Sequence, residues 1–383
     1  MLTITSDVGW ENGSFDLPLT RLRTLFVGEL APLRRLFIPE GTPWPYNDFM
    51  NLKFLCLYNQ PTLENELPEL LEMLRGSPTI EELYIRQREN SDWMENPPSN
   101  LGPVFQAHSL KKFRLHDFSV EAIVCILSTM QLQPNGVAVY LSDAVMSADI
   151  FAQIFPLFPP ECTLSKTERL EVYHEPRDIF GIIFCGTGGS FKIGGCLSCH
   201  DGDDGTKPAI SLLRYIYKEC AQTLKELWIH NSYDDEESYI FDNFSCYNLE
   251  KLVLVETRSN ASDRLCEVLD PSGPRTRDLP APRLRSLTIR GIDEESQLKR
   301  LITLCEGQSE TDHPLHEVSV CGQEGLPDWM TGLCGLPSTP IHIEAWNEWD
   351  AQLMELPAVC TEDTSIWWPP REEPIDDYSQ NGS

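Results

Sequence analysis

This sequence of 383 residues lacks long apolar runs and has few basic residues. No stretch is apolar over the roughly 20 residues that a helix needs to cross a bilayer, so we expect no membrane span. The 30 lysines and arginines stand against 59 aspartates and glutamates, which gives a formal net charge of −29, and they form no basic stripe. Because nucleic acids and anionic lipid surfaces attract basic patches, the composition argues against both as partners.

A secretory leader and a disulfide framework are also missing. The N-terminal stretch MLTITSDVGWENGSFD has neither a basic region nor the apolar region that follows it in signal peptides. The thirteen cysteines are odd in number and scattered. Several, such as Cys56 and Cys305, stand within apolar patterns, where cysteine acts as a small apolar residue. We therefore expect a reduced intracellular protein, cytoplasmic or nuclear.

Catalytic motifs are absent as well. The chain contains no Gly-x-Ser-x-Gly elbow and no His-Glu-x-x-His helix, and its eight histidines are dispersed. No acid–base pair can be assigned, so we expect no enzymatic activity, no catalytic residues and no cofactor.

One short motif retains possible metal chemistry. Residues 196–200 read C-x-x-C-H, a haem-attachment pattern, but they lie among glycines and aspartates that offer no apolar pocket. Cys185, Cys196, Cys199 and His200 together would supply four zinc ligands. A metal-binding loop is thus a minor alternative, beside the simpler interpretation that these are reduced loop cysteines.

An apolar phrase recurs along the chain: an apolar residue, two variable positions, an apolar residue, one variable position and a last apolar residue. The nine copies begin at Leu22, Leu33, Leu52, Ile80, Leu110, Leu224, Leu249, Leu284 and Leu315. The last two apolar positions are two residues apart, which is the period of a strand with one buried face. This phrase is typical of leucine-rich repeats.

Segments with helical periodicity separate many of these copies. They cover residues 67–74, 119–130, 149–158, 209–221, 261–269 and 294–306. Weaker strand patterns occur at 137–141, 170–172 and 191–193. Strands alternating with helices predict an α/β fold, namely a curved leucine-rich-repeat solenoid with a parallel sheet on its concave side and helices on its convex side.

The same patterns predict three parts of the chain. Residues 1–21 form an N-terminal cap of strand and loop, and residues 22–345 form an irregular repeat domain with an inserted loop, rich in glycine and aspartate, at 185–207. Residues 346–383 form an acidic, partly disordered tail, since the sequence from Glu344 onward contains ten acidic residues and only one basic residue, Arg371.

Four stretches carry a more specific pattern: NLKFLCLYNQP (51–61), LPELLEMLRGSPTIEELYI (67–85), SLKKFRLHD (109–117) and TLKELWIHN (223–231). They resemble the repeat regions of fungal F-box/leucine-rich-repeat proteins, in which a helix leads through a Ser-Pro pair directly into the next strand. The resemblance covers roughly residues 20–345.

The resemblance implies a substrate-recognition subunit of a cullin–RING ubiquitin ligase, in which the repeats hold the target protein. Only some 20 residues precede Leu22, and no motif there matches the F-box that binds the cullin adaptor. A contact with the adaptor is expected only if an F-box lies upstream. The alternative is a stand-alone leucine-rich-repeat scaffold with no link to a ligase.

The repeat phrase also predicts a binding surface. The residue between its last two apolar positions points away from the core, so that successive strands place these residues in one column on the concave face. Aromatic residues and arginine dominate the energy of protein interfaces. The predicted partner-binding residues, including flanking outward positions, are Phe26, Phe37, Tyr58, Tyr84, Arg86, Arg114, His116, Tyr140, Trp228 and His230. The alternative occupant of this face is the chain's own tail, where Trp367 and Trp368 are available.

Overall fold

A computed structural model of the chain describes nineteen stretches. They are residues 2–3, 33–39, 49–60, 67–87, 101–133, 136–142, 148–158, 163–175, 179–187, 189–196, 208–231, 245–256, 261–271, 280–292, 294–309, 311, 314–323, 341–346 and 354–361. Within these stretches no helix is both long and apolar enough to cross a membrane.

The described residues form strands and helices that largely alternate. The strands are β1 (Leu2–Thr3), β2 (Arg35–Ile38), β3 (Phe54–Gln60), β4 (Glu82–Gln87), β5 (Phe105–Ala107), β6 (Lys112–His116), β7 (Met130–Leu132), β8 (Val137–Ser142), β9 (Thr167–Glu175), β10 (Ile179–Gly186), β11 (Gly189–Cys196), β12 (Glu226–Asn231), β13 (Lys251–Glu256), β14 (Ser286–Ile292), β15 (Glu317–Gln323) and β16 (Ile341–Trp346). The α-helices are α1 (Leu67–Arg75), α2 (Val120–Thr129), α3 (Ala148–Ile154), α4 (Pro208–Cys220), α5 (Ala261–Leu269), α6 (Glu295–Ser309) and α7 (Ala358–Thr361), and 3-10 turns cover Phe155–Leu157 and Leu164–Lys166.

Fourteen of these strands form one large open sheet in the order β1-β2-β3-β4-β6-β8-β11-β10-β9-β12-β13-β14-β15-β16. Neighbouring strands are parallel throughout, except that β10 runs antiparallel to both β9 and β11. Strands β5 and β7 make a separate parallel pair. The fold is therefore mixed α/β with a mostly parallel sheet, and the predicted fold class is confirmed at that level.

The repeat phrase accounts for the core of this sheet. Eight of its nine copies coincide with strands in the described residues, while the copy that begins at Leu22 lies outside them. In β3, Leu55 and Leu57 are buried toward the helices, and Leu52, the first apolar residue of the phrase, is buried just before the strand. One apolar cluster runs between the sheet and helices α1 to α6, and strands such as β3, β4, β6, β12 and β14 each contribute one face to it.

Helix boundaries follow local chemistry. Ser119 caps α2, since its hydroxyl oxygen accepts a hydrogen bond from the Ala122 amide at 3.2 Å. Helix α1 buries Leu67, Leu70 and Leu74 on one stripe, as its periodicity predicts. Helix α6 continues to Ser309, three residues beyond the predicted end, and buries Gln308 as well as its apolar face.

The structure corrects the prediction of an inserted loop at 185–207. Residues 185–196 belong to β10 and β11, which form an antiparallel hairpin within the main sheet, while 197–207 lie outside the described residues. Glycine at position 181 makes room for an aromatic ring, because a Cβ there would lie 1.8 Å from Cζ of Tyr173. Gly189 has φ of +153° and approaches the Val137 carbonyl so closely that a Cβ would lie 2.3 Å from its oxygen.

The predicted ends of the chain are described only in part. Of residues 1–21 the structure describes Leu2–Thr3, which pair with β2. The main sheet extends to β16, whose end at Trp346 lies one residue beyond the predicted domain boundary. Of the predicted tail 346–383, residues 354–361 are described and pack onto the sheet, and the rest after Trp346 lies outside the described residues.

Candidate functional site

The side chains that alternate with the core residues form the face of the main sheet opposite helices α1 to α6, which we call the open face. Strand register aligns these side chains into rows that cross the strands. The central row contains Phe37, Cys56, Tyr84, Arg114, Tyr140, Lys192, Ile183, Glu171, Trp228, Val253, Thr288, Ser319 and His342, from β2 to β16. The predicted alignment is therefore confirmed for the described residues, and Phe26 lies outside them.

The remaining predicted residues lie in the next row along the strands. Arg86 pairs with His116 across β4 and β6, and His230 lies on β12 beside Tyr173 of β9. Tyr58 stands next to the irregularity that shifts the register of β3 against β4. Its hydroxyl oxygen lies 3.4 Å from Nη1 of Arg86, so the two side chains adjoin on the same face.

Three central-row residues were missed because they belong to the hairpin and the strand beside it. Lys192, Ile183 and Glu171 stand between Tyr140 and Trp228 in the register, so the two halves of the predicted column are three strands further apart than the sequence suggested. The available signals were the weak strand patterns at 170–172 and 191–193, whose middle residues are Glu171 and Lys192, and the apolar alternation at Ile182 and Phe184.

Cations lie over aromatic rings along the open face. Above Tyr140, the Lys192 ammonium is 4.5 Å and the Arg114 guanidinium carbon 5.0 Å from the ring centroid. The same ammonium is 5.9 Å from the ring centroid of Tyr173. On β13, the Lys251 ammonium lies 4.9 Å from the Trp228 ring. Such contacts hold large rings in fixed orientations and contribute about 0.5–1 kcal/mol each at exposed sites.

Polar pairs fix other side chains of the face. Glu171 is 2% exposed, and its Oε1 lies 2.9 Å from Nε2 of His230. Trp228 donates a hydrogen bond from its indole nitrogen to Glu226 at 2.7 Å. The imidazole Nδ1 of His116 lies 2.7 Å from the Ser142 hydroxyl oxygen. These pairs fix the positions of side chains on the open face in the absence of a bound partner.

The open face is positively charged in a strongly acidic chain. The three outward rows between β2 and β15 have eight basic and four acidic side chains, an excess of four positive charges against −29 for the whole chain. The basic residues are Arg35, Arg86, Lys112, Arg114, Arg169, Lys192, Lys251 and Arg290, and the acidic ones are Glu82, Glu171, Glu226 and Glu317. A surface of this sign attracts acidic partners.

A short segment near the C-terminus, residues 354–361, covers the middle of the open face, and we call it the tail segment. Met354 is 0% exposed and packs with Ile183, Cys185, Trp228 and Val253 in one apolar cluster. Cys360 is 6% exposed and packs in a second cluster, with Phe54, Cys56, Tyr84, Ala138 and Tyr140. Leu356 contacts both clusters, so the segment crosses the intervening strands.

Two polar contacts add to this packing. Arg169 donates from Nη1 to the carbonyl oxygen of Glu355 at 2.6 Å, and the Ser190 hydroxyl oxygen lies 2.6 Å from Sγ of Cys360. Tyr84 and Trp228 are 3% exposed beneath the segment. Part of the open face is thus covered by the chain's own tail, as the alternative interpretation predicts. The covering residues are 354–361. Trp367 and Trp368 lie outside the described residues.

Burial suppresses thiol chemistry at this site. Burial raises the pKa of the Cys56 thiol to about 12, although the nearby Arg114 guanidinium acts in the opposite direction. The thiolate is therefore scarce at neutral pH, and the residue acts as an apolar contact.

The proposed four-ligand zinc set does not assemble. Cys185 pairs with Ser190 near the turn of the hairpin, whereas Cys196 pairs with Ile179 at its open end. Six residues of strand separate the two positions by about 20 Å, but ligands of one zinc ion lie within about 4 Å of each other. In the parts of the chain that the structure describes, no group of three or more His, Cys, Asp and Glu side chains is placed to hold a metal ion.

Comparison with known proteins does not assign the chain to a family. No protein-family model matches the chain, and none of the curated proteins matches it.

Proposed function

We propose that this chain is a protein-recognition module of the leucine-rich-repeat type, which binds its protein target on the open face of the sheet. The observation that carries the proposal is the central row, a continuous line of side chains in register from β2 to β16. At about 4.8 Å between neighbouring strands this row extends over about 55–60 Å, enough for a long segment or one side of a domain.

The composition of the row supports this role. Tyr84, Tyr140, Trp228 and Arg114 are the residue types that carry most of the binding energy at protein interfaces. Lys192 and Arg114 keep the ring of Tyr140 in place, which lowers the entropy lost on binding. Such a surface is suited to a protein ligand, and the excess of positive charge favours an acidic one.

The architecture that we propose is a curved repeat solenoid. It is supported by the eight copies of the phrase that lie on strands of one sheet, and by the helices that separate several of them on the other side. Stacked repeats bury their apolar faces against neighbours, and the curvature that results creates an extended surface for partners.

The link to ubiquitin ligation rests on the resemblance to F-box/leucine-rich-repeat proteins. On that basis we propose that the module presents its target to a cullin–RING ligase, with an adaptor contact only if an F-box lies upstream of these residues. A stand-alone scaffold is the other outcome of the test below.

The test is affinity capture of the tagged full chain from its native cells, followed by mass spectrometry. The Arg114→Glu, Lys192→Glu double variant reverses two charges in the central row. Lys299→Glu is the matched control, because Lys299 is exposed on α6, away from the open face. We expect specific partners to be lost with the double variant and kept with the control. Retention of every partner by both variants would exclude the open face as the recognition surface.

The same experiment addresses the ligase link. Co-purification of a cullin and its adaptor would support the ligase role. Specific partners without a cullin would indicate a stand-alone module.

A further inference from the structure

The open face already holds one linear stretch of protein. In the tail segment the apolar residues Met354, Leu356, Val359 and Cys360 are the ones that pack on the two clusters, while Glu355, Ala358 and Thr361 are exposed. This arrangement of apolar anchors between exposed residues is how a short peptide binds a protein surface.

The tail segment is attached differently from the strands beneath it. Each strand of the main sheet is tied to its neighbours by a ladder of main-chain hydrogen bonds, as in the pairing of β12 with β9 and β13. In the described part of the chain, residues 354–361 pair with no strand, and α7 contains four residues. The segment is therefore held mainly by side chains, and it can leave without opening the sheet.

The sequence around the tail segment has a net charge opposite in sign to that of the rows beneath it. The rows under and beside the tail segment have an excess of positive charge, and residues 344–383 have ten acidic side chains against one arginine. Arg169 contacts the main chain at Glu355, and Lys192 and Arg114 lie in the central row that the segment crosses. An acidic segment with a few aliphatic anchors therefore fits this surface.

We infer that residues 354–361 act as an intramolecular competitor of the target, and that the target binds through an acidic linear segment with aliphatic anchors spaced as in Met354, Leu356 and Val359. This inference rests on the proposed function, since it assigns the open face to target binding. The tail segment occupies the place of the target and lowers the affinity of the module until it is displaced.

The contact between Ser190 and Cys360 offers a way to lock the tail segment. The two side-chain atoms lie 2.6 Å apart, so Ser190→Cys places two sulfurs close to the roughly 2.05 Å of a disulfide bond. Oxidation joins the two thiols with loss of two electrons and two protons to an added oxidant such as diamide, and dithiothreitol reverses it. Peptide mapping by mass spectrometry identifies the bond that the introduced thiol forms with Cys360.

The opposite variant releases the tail segment. Met354→Asp with Leu356→Asp puts two carboxylates into apolar clusters, where an unpaired charge is unfavourable. Ala358→Ser is the matched control, because Ala358 is exposed on the same segment. All variants are full-length chains, and their free energies of unfolding are compared first.

The probe is a fluorescent peptide with the sequence DAQLMELPAVCTED, residues 350–363, and its binding is measured by anisotropy in reducing buffer, except for the oxidised chain. We expect the released variant to bind the peptide about tenfold or more tightly than the wild type and the Ala358→Ser control. The oxidised Ser190→Cys chain should bind no peptide, and its reduced form should equal the wild type. A peptide with its acidic residues replaced by lysine should bind the released variant about tenfold or more weakly.

Equal binding to the wild-type and released chains, or no binding to either, would overturn the inference of an intramolecular competitor. Equal binding of the acidic and lysine peptides would overturn the acidic character of the target. If the introduced thiol formed no bond to Cys360 in a Ser190→Cys, Cys185→Ala chain, where its cross-strand neighbour cannot compete, the position of the tail segment would be contradicted. If the peptide test fails while Arg114→Glu, Lys192→Glu still abolishes capture of partners, the proposed function stands without the competitor.

Discussion

Two alanine substitutions at fully buried positions distinguish the sheet from the tail segment. Leu227 lies in β12, between the neighbouring leucines of β9 and β13, in the cluster under the helices. Met354 lies in the tail segment, in the cluster on the open face. Both side chains are 0% exposed, so burial alone predicts the same cost for Leu227→Ala and Met354→Ala.

The cost of either substitution is about 2–5 kcal/mol, from lost transfer free energy and the cavity left behind. For Leu227→Ala that cost falls on the free energy of unfolding, because the core opens only when the sheet unfolds. For Met354→Ala the cost instead reduces the free energy that holds the tail segment on the open face. A loss of about 2 kcal/mol raises the population of the released state about 30-fold, while the unfolding free energy of the sheet changes by less than about 1 kcal/mol.

Two buried thiols report on these events. Cys56 lies under the tail segment and Cys305 lies in α6 against the helix-side core, and burial raises the pKa of each to about 12. Labelling rates with an alkylating reagent, read by mass spectrometry, therefore compare two similar thiols in one molecule. Met354→Ala should accelerate labelling of Cys56 and leave Cys305 unchanged, whereas Leu227→Ala should accelerate labelling of Cys305. Urea unfolding measures the global stability of both variants.

The reasoning fails if the two variants behave alike. A fall of about 2–5 kcal/mol in unfolding free energy for Met354→Ala, with no selective labelling of Cys56, would mean that the tail segment unfolds together with the sheet. It would then be a permanent part of the fold and no competitor.

Two further predictions concern the sheet and its edge. Gly181→Ala should lower the free energy of unfolding by about 1–3 kcal/mol, because the new Cβ would lie 1.8 Å from Cζ of Tyr173. Tyr173→Ala should relieve much of this loss in a double-mutant cycle, and simple additivity would contradict the clash. Glu81→Gln should cost about 0.2–1 kcal/mol at neutral pH, since hydrogen bonds from Lys53 and Lys111 lower the pKa of Glu81. The lowered carboxyl pKa stabilises the fold above the unfolded value of 4.5, and this contribution is lost as pH falls from 4.5 through the lower pKa of the folded state. Urea titrations at neutral pH and below the folded-state pKa check that the difference disappears.

The sequence was sufficient to predict the elements built on the repeat phrase. In β4, Leu83 and Ile85 are buried toward the helices while Tyr84 and Arg86 face outward, as the period of two requires. Register between parallel strands then follows from the phrase itself, since equivalent positions such as Tyr84 and Arg114 pair directly. The row of predicted binding residues was therefore accessible from local spacing alone.

The hairpin was predicted only in part, as the weak strand pattern at 191–193. Glycine normally weakens strands, and the density of glycines around Phe191 favoured a loop. In the folded chain Gly181 instead leaves room for the ring of Tyr173 on the open face, because a Cβ there would lie 1.8 Å from Cζ of that ring. The preference for glycine at this strand position depends on residues that are neighbours only in the folded chain, and a single sequence does not reveal them.

The position of the tail segment on the open face could not be predicted from the sequence either. Its apolar residues have no helical or strand period, and the acidic sequence around them is typical of solvated chain. What fixes them is a surface made by strands far away in the sequence: the Cys360 thiol contacts Ser190, 170 residues away along the chain. Only the assembled sheet creates that surface.

The most direct test of the account is partner capture by the Ser190→Cys chain in its oxidised and reduced forms. The two forms share one sequence and differ in whether residues 354–361 can leave the open face. The account predicts that the reduced chain captures its partners from cell extract and that the oxidised chain loses them, with recovery on addition of dithiothreitol. Equal capture by both forms would show that partners bind elsewhere, and the open face would then be an internal interface of this protein.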